Sequence, residues 1–266
     1  MKNDRNTLIW RLFVVAVVIF FVTAGTYFLF ATTREPRRLE QALLDRYGPA
    51  NQYTPAADGR IAPERLRRFV RVRQAVQPNC TDYQRILDGI RGLQSIESDS
   101  SLSGREKTSR GIDGVKSMIT LTPKLLSFMR ARNNSLLAQG MGLGEYMYIY
   151  LTAYGKQLAR EHAFRYAGME EAYISPRTRE EFVQILRNQL RGLEEAGPDA
   201  APDDLPIKLQ TEISALQDGS RVAPWPNGPI GRAGDSIAPF RQQLSDLYCD
   251  GIVAIELQQK NRSLGF

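Results

Sequence analysis

Histidine and cysteine are nearly missing from this chain of 266 residues: one histidine, His162, and two cysteines, Cys80 and Cys249. A single imidazole excludes a multi-histidine metal centre and the HExxH pair of the zinc proteases. The two cysteines lie far apart with no CxxC, which excludes a four-cysteine zinc site and a dithiol redox motif. A Ser-His-Asp triad would have to use His162, and no GxSxG elbow supplies its nucleophile. Period-2 alternation of the kind that marks a strand is also absent as a convincing pattern, and only Ile252 to Leu257 can be read either way. What remains is an all-α expectation with no metal, no cofactor and no assignable catalytic residue.

Long apolar runs are equally scarce, with one exception. Residues 12–31 (LFVVAVVIFFVTAGTYFLFA) carry no charge, and at 1.5 Å per residue such a helix is about 30 Å long, one hydrocarbon thickness. Trp10 and Arg11 stand at one edge and Tyr27 near the other, where interfacial anchors belong. The competing reading is a cleaved signal peptide, with small residues at Val22-Thr23-Ala24. The apolar run continues past that cut through Phe30, which favours an uncleaved anchor. Arginines and lysines are balanced on the two sides, so the positive-inside rule is nearly silent. The short leading tail favours the signal-anchor arrangement, with residues 1–11 cytoplasmic, 12–31 spanning the inner membrane and the rest facing the periplasm.

The cysteines agree with export. One structural disulfide between Cys80 and Cys249 in an oxidising compartment accounts for them, and two buried free thiols are the alternative. Both fall just past the ends of expected helices, and the bond would close nearly the whole domain. The net charge of +6 and pI near 9.4 rest mostly on arginine. An anionic partner would explain them, and so would an arginine-rich genome.

Beyond the span, residues 32–62 read as a mobile tether with a short helix from Arg38 to Tyr47, and 63–266 as one helical domain. Pro63 opens a helix expected to close at Pro78. Tyr83 to Leu93 line a second, and the pattern from Arg105 to Gln139 is helical with a break at Pro123. Gly140 is a stop, and the helix from Glu145 to Ala167 is apolar nearly all round in its first half, which requires burial. Ser175-Pro176 is an N-cap followed by proline at the first helical position. After a helix from Pro206 to Gln217 comes a Gly/Pro-rich loop, Asp218 to Gly234, pinned by Trp225. A final helix spans Ser236 to Tyr248.

Three segments invite a functional reading. Gly140-Met141-Gly142-Leu143-Gly144 looks like a phosphate loop, but it follows a helix rather than a strand, and Glu145 stands where the fingerprint needs glycine. The carboxylate of Glu145 would also repel a phosphate at that helix end. In the following helix Tyr146, Tyr150 and Tyr154 share one face, and Glu145, Tyr148, Ile149 and Thr152 another. Buried, these polar groups need partners. Either they line a pocket for an apolar or lipid-like ligand, formed by Glu145, Tyr146, Tyr148, Tyr150 and Thr152, or they are core side chains with Glu145 paired to an arginine such as Arg130 or Arg132. The third segment is the basic helix with Arg65, Arg67, Arg68, Arg71 and Arg73, a solvated face or a contact for anionic headgroups. Stacking aromatics do not interleave there, so nucleic acid is not an expected partner.

The segments FVRVRQA and GMGLGEYMYIY and the ending PW…PF…LSDLYC resemble those of uncharacterised bacterial proteins with an N-terminal anchor and a helical exported domain. The likeness covers most of the chain after residue 60. It implies localisation and adds no catalytic residue. Two functions remain: a non-enzymatic envelope module that binds a protein or the membrane surface, or a binder or processor of an apolar ligand beside Tyr146, Tyr148 and Tyr150.

Overall fold

The computed structural model of the chain describes residues 34–98, 123–163, 174–197, 200, 204–221, 223–249 and 256, with 81–98 and 160–163 described by backbone alone. The expected span 12–31, the segments 99–122 and 164–173, and the side chain of His162 lie outside this description. Among the described residues every regular element is helical. None of those helices is long and apolar enough to cross a membrane.

The chain runs through α1 (34–47), a 3-10 turn (Ala50–Gln52), α2 (Pro63–Ser98), α3 (123–139), α4 (Leu143–Ala163), α5 (Pro176–Ala196) and α6 (Leu205–Gln217). A broken C-terminal stretch follows: α7 (Arg232–Ile237), a second 3-10 turn (Ala238–Phe240) and α8 (Arg241–Asp246). The centre is α4, whose residues from Leu143 to Thr152 are all buried. Its apolar composition leaves it no solvated face, so other elements must cover it on every side. Phe69 of α2 meets Tyr146 and Tyr154 on one flank, and Phe182 of α5 meets Tyr148 on another.

The glycines before and within α4 permit this enclosure. A Cβ on Gly142 would stand 2.8 Å from the Tyr47 side chain, and one on Gly144 would stand 2.3 Å from the Ala50 carbonyl oxygen. The glycine-rich run therefore seats residues 47–53 against the helix start. Residues 34–62, expected to be a tether, bring Leu39, Leu43, Ala50 and Ile61 into the packed interior. Farther along α4, a Cβ on Gly155 would meet the Pro224 carbonyl oxygen at 2.2 Å, so the long loop lies directly on the helix. Trp225 anchors that loop at 4% exposure, with a φ of +53° that a non-glycine residue adopts only under constraint. The constraint is buried Glu212 of α6, which accepts the Trp225 backbone N–H at 3.1 Å and pairs with Arg221.

Helix ends follow their local chemistry. Ser175 accepts the Thr178 N–H at 3.1 Å, with Pro176 opening α5. At the end of α3, Gly140 has φ +61°, and the bonds Met141 N–H to Leu136 O and Gly140 N–H to Leu137 O make a Schellman stop.

Two boundaries differ from expectation. Instead of closing at Pro78, α2 passes through it to Ser98. Proline already holds a helix-compatible φ, so the cost is a lost hydrogen bond and a local clash. Val76 and Cys80 straddle it and offset that cost by packing with Phe128 and Met129 of α3. The single final helix expected from Ser236 is instead broken at Pro239, which lies in the 3-10 turn between α7 and α8.

Cys80 and Cys249 form a disulfide, with Cα atoms 5.8 Å apart and 169 residues of sequence separation. It fastens the end of the C-terminal helices to α2.

Candidate functional site

The five residues singled out in α4 are brought together on one buried helix, but they turn to several separate partners, and only Tyr146 and Tyr150 share one, Arg73. Glu145, 8% exposed, is gripped through both carboxylate oxygens by Arg65 of α2. The expected partners Arg130 and Arg132 lie elsewhere: Arg130 pairs with Glu35 at 2.8 Å, and Arg132 is in the interior. Arg65 also donates to the Gly140 carbonyl at 3.0 Å, and the bond to Glu145 raises its pKa. Thr152 spends its hydroxyl on the Tyr148 carbonyl of its own helix, 2.6 Å away. Tyr148 donates to Gln189 of α5 at 3.4 Å, and burial raises its pKa well beyond the ordinary value.

Tyr146 belongs to the most concentrated polar cluster of the domain. Its hydroxyl lies between Arg73 of α2, at 3.1 Å, and the carboxylate of Glu256, to which it donates. Arg73 pairs with the same carboxylate and donates to the Leu247 carbonyl at 2.8 Å. Its guanidinium also lies over the rings of Tyr150 and Tyr154, 5.2 and 5.6 Å from their centroids. Arg132 reaches the Glu256 backbone carbonyl and, at 3.0 Å, the Asn133 side chain. Burial pulls the Arg132 pKa down, opposed by Tyr146 and Glu40. Burial works against the charge of Arg73 too, but the surrounding tyrosine oxygens outweigh it and its pKa moves up. Tyr146 is held protonated by burial, against the pull of the two arginines.

Arg73 is thus a correction to the basic face: its side chain is 0% exposed. The reason is its register. Leu66, Phe69, Val70, Arg73 and Val76 follow one another at helical spacing on the face of α2 that enters the core. That spacing was a signal available in the sequence. Glu256 gave none, because it lies beyond the last clear helical stripe. Of the other four arginines, Arg65 is half-buried against Glu145 and the remaining three keep to the outer side. Arg67, Arg68 and Arg71 gather around Glu64 at 3.3, 3.1 and 3.7 Å, and the two hydrogen bonds from Arg67 and Arg68 hold its carboxyl below the usual range. Arg68 further donates to the Gln139 carbonyl at 3.1 Å. With Arg65 on Gly140, this row caps the C-terminal end of α3, where backbone carbonyls lack helical partners and the helix dipole favours cations.

Chemically, the inner cluster holds the Glu256 carboxylate against the Arg73 guanidinium and the Tyr146 phenol, with Arg132 on the Glu256 backbone carbonyl, out of contact with water. It ties α2, α3, α4 and the segment bearing Glu256 together. Among the described residues no group of three or more His, Cys, Asp or Glu side chains is placed to hold a metal ion. A concave groove of about 530 Å³ lies elsewhere, along α5, and none of the α4 tyrosines lines it. Comparison with known proteins finds no matching family model, no matching curated protein and no matching solved structure.

Proposed function

We propose that this chain is a membrane-anchored module of the bacterial cell envelope, held in the inner membrane by residues 12–31. Its helical domain faces the periplasm and works by binding a protein or the membrane surface rather than by catalysis. The observation that carries the reading is the Cys80–Cys249 disulfide, because such bonds persist in oxidising compartments and are rare where thiols are kept reduced. The apolar, uncharged run at 12–31 supplies the anchor. The polar groups of α4 support the non-catalytic part, since Glu145, Tyr146, Tyr148 and Thr152 each have a partner inside the domain.

The test combines topology with thiol state. Protease added to spheroplasts should digest the domain and leave it intact in unbroken cells. Alkylation of protein unfolded without reductant should modify neither cysteine. Labelling of both thiols, or protection of the domain in spheroplasts, overturns the reading.

A further inference from the structure

The groove on α5 has a charge pattern that the rest of the domain does not use. Its floor is apolar, made by buried Val183 of α5 and Leu216 of α6. One wall is held in place by side-chain amides. Gln184 donates to Asn188 at 3.1 Å, and Asn188 donates to the carbonyls of Asn51 and Tyr53 at 2.9 and 3.1 Å. The groove is therefore built before anything enters it, and its volume of about 530 Å³ falls within the roughly 300–1,000 Å³ typical of ligand sites.

Three arginines and two glutamates line it. Arg177 and Glu181 neutralise one another at 3.0 Å. Among the described residues, the side chains of Arg179, Arg187 and Glu180 make no ion pair or hydrogen bond, although all three line the groove. Two guanidiniums without such a partner among the described residues suit carboxylates or phosphates, which they bind in a bidentate fork. With Glu180 and Glu181 set against Arg177, Arg179 and Arg187, the lining keeps a single net positive charge, which suits a segment with a few spaced carboxylates better than a phosphate-dense surface that would crowd Glu180 with like charge. Arg179 and Arg187 are eight residues apart, about 12 Å along the helix axis. An extended chain advances about 3.3 Å per residue, so that interval matches acidic side chains about four positions apart, which project to the same side.

We propose that this groove docks an extended acidic segment of a partner protein, with two carboxylates four positions apart engaging Arg179 and Arg187. The proposal rests on the reading of the domain as an interaction module, and names the partner chemistry for it.

The experiment uses the full chain in detergent micelles or nanodiscs. The probe is a fluorescein-labelled nonapeptide with two glutamates four positions apart in a glycine/serine background, followed by anisotropy. Saturable binding in the micromolar range is expected. It should fall at least tenfold when the glutamates are replaced by glutamine, and at least tenfold in the double variant Arg179→Glu with Arg187→Glu. Arg67→Glu, on the outer side of α2, should leave it unchanged. Equal binding by wild type and the double variant overturns the proposal, as does an absence of binding. Preferential binding of phosphatidylglycerol vesicles through the same two arginines overturns it in favour of a lipid surface. Site-specific crosslinking of the full chain in cells separates the two readings. Envelope-protein crosslinks without peptide binding remove the groove proposal alone. Peptide binding by a chain whose domain proves cytoplasmic upholds the groove and removes the envelope reading.

Discussion

Arg67 and Arg73 stand six residues apart on α2, and their surroundings are opposite. The Arg67 side chain is 56% exposed and touches Glu64 across solvent, whereas that of Arg73 is 0% exposed among Tyr146, Tyr150, Tyr154 and Glu256. The same residue type on the same helix is a solvated charge in one place and a structural fastener in the other. Register decides between them. At 3.6 residues per turn, six positions turn the side chain through about 240°, which takes it from the outer row onto the apolar stripe. Composition therefore says little about what the arginines of this helix do, while their spacing relative to Leu66, Phe69 and Val76 says a great deal.

The sharpest way to break the comparison is to remove the interior carboxylate. Glu256→Ala leaves Arg73 buried beside Arg132 with no opposing carboxylate on it, and stranding a buried charge costs about 3–5 kcal/mol. A melting temperature within a degree or two of wild type would show that Arg73 reaches water. Replacing both partners sharpens the point. Arg73→Met combined with Glu256→Leu should recover most of the loss, because an apolar pair needs no desolvated charges to be matched.

An intermediate case lies between the two arginines. The Arg65 side chain is 28% exposed and that of Glu145 10%, so Glu145→Ala leaves Arg65 able to reach solvent while it keeps the Gly140 carbonyl. The expected loss is about 2 kcal/mol, typical of a hydrogen bond to a charged group. A loss equal to that of Glu256→Ala would place Arg65 with the interior arginine instead.

A third test uses the tyrosines that surround Arg73. Burial raises the Tyr154 pKa from 10.0 to about 12. In the unfolded chain the phenol ionises first, so between those values the folded state holds a proton that the unfolded state has lost. Stability from this group is complete below pH 10 and falls as pH rises toward 12, with a slope of about 1.4 kcal/mol per pH unit. Tyr154→Phe should remove that much of the alkaline slope. Denaturant melts across pH 9 to 11.5 check it, and an unchanged slope would mean that the phenol ionises in the fold as readily as outside it.

Much of this architecture was legible wherever the signal was local. The Ser175 cap, the Gly140 stop and the pinning of Trp225 depend on neighbours in sequence or on one large side chain, and each stands as expected. The burial of Glu145 was legible because its helix offers no wet face. What the residues alone did not show depends on distant packing. Passage of α2 through Pro78 requires the contacts of Val76 and Cys80 with α3. The choice of Arg65 over Arg130 or Arg132 for Glu145 depends on how α2 lies across the start of α4. The partner of Arg73 was beyond reach for the same reason, since Glu256 is 183 residues away in sequence.

The smallest expected effect is at Arg67, and it bears most directly on what a charge on the outer row contributes. Its guanidinium approaches Glu64 at 3.3 Å, in an i,i+3 arrangement with the Glu64 side chain 51% exposed. Glu64 is shared with Arg68, which lies closer at 3.1 Å. Deleting Arg67 therefore leaves the carboxylate with a partner, and water solvates whatever is freed. Exposed pairs of this kind contribute little because ordering two long side chains offsets a screened attraction. Arg67→Ala should melt at the wild-type temperature in both low and high salt. A clear drop that high salt abolishes would show that the row around Glu64 acts as a coupled network, and the reading of Arg67 as a solvated charge beside the arginines that cap α3 would fail.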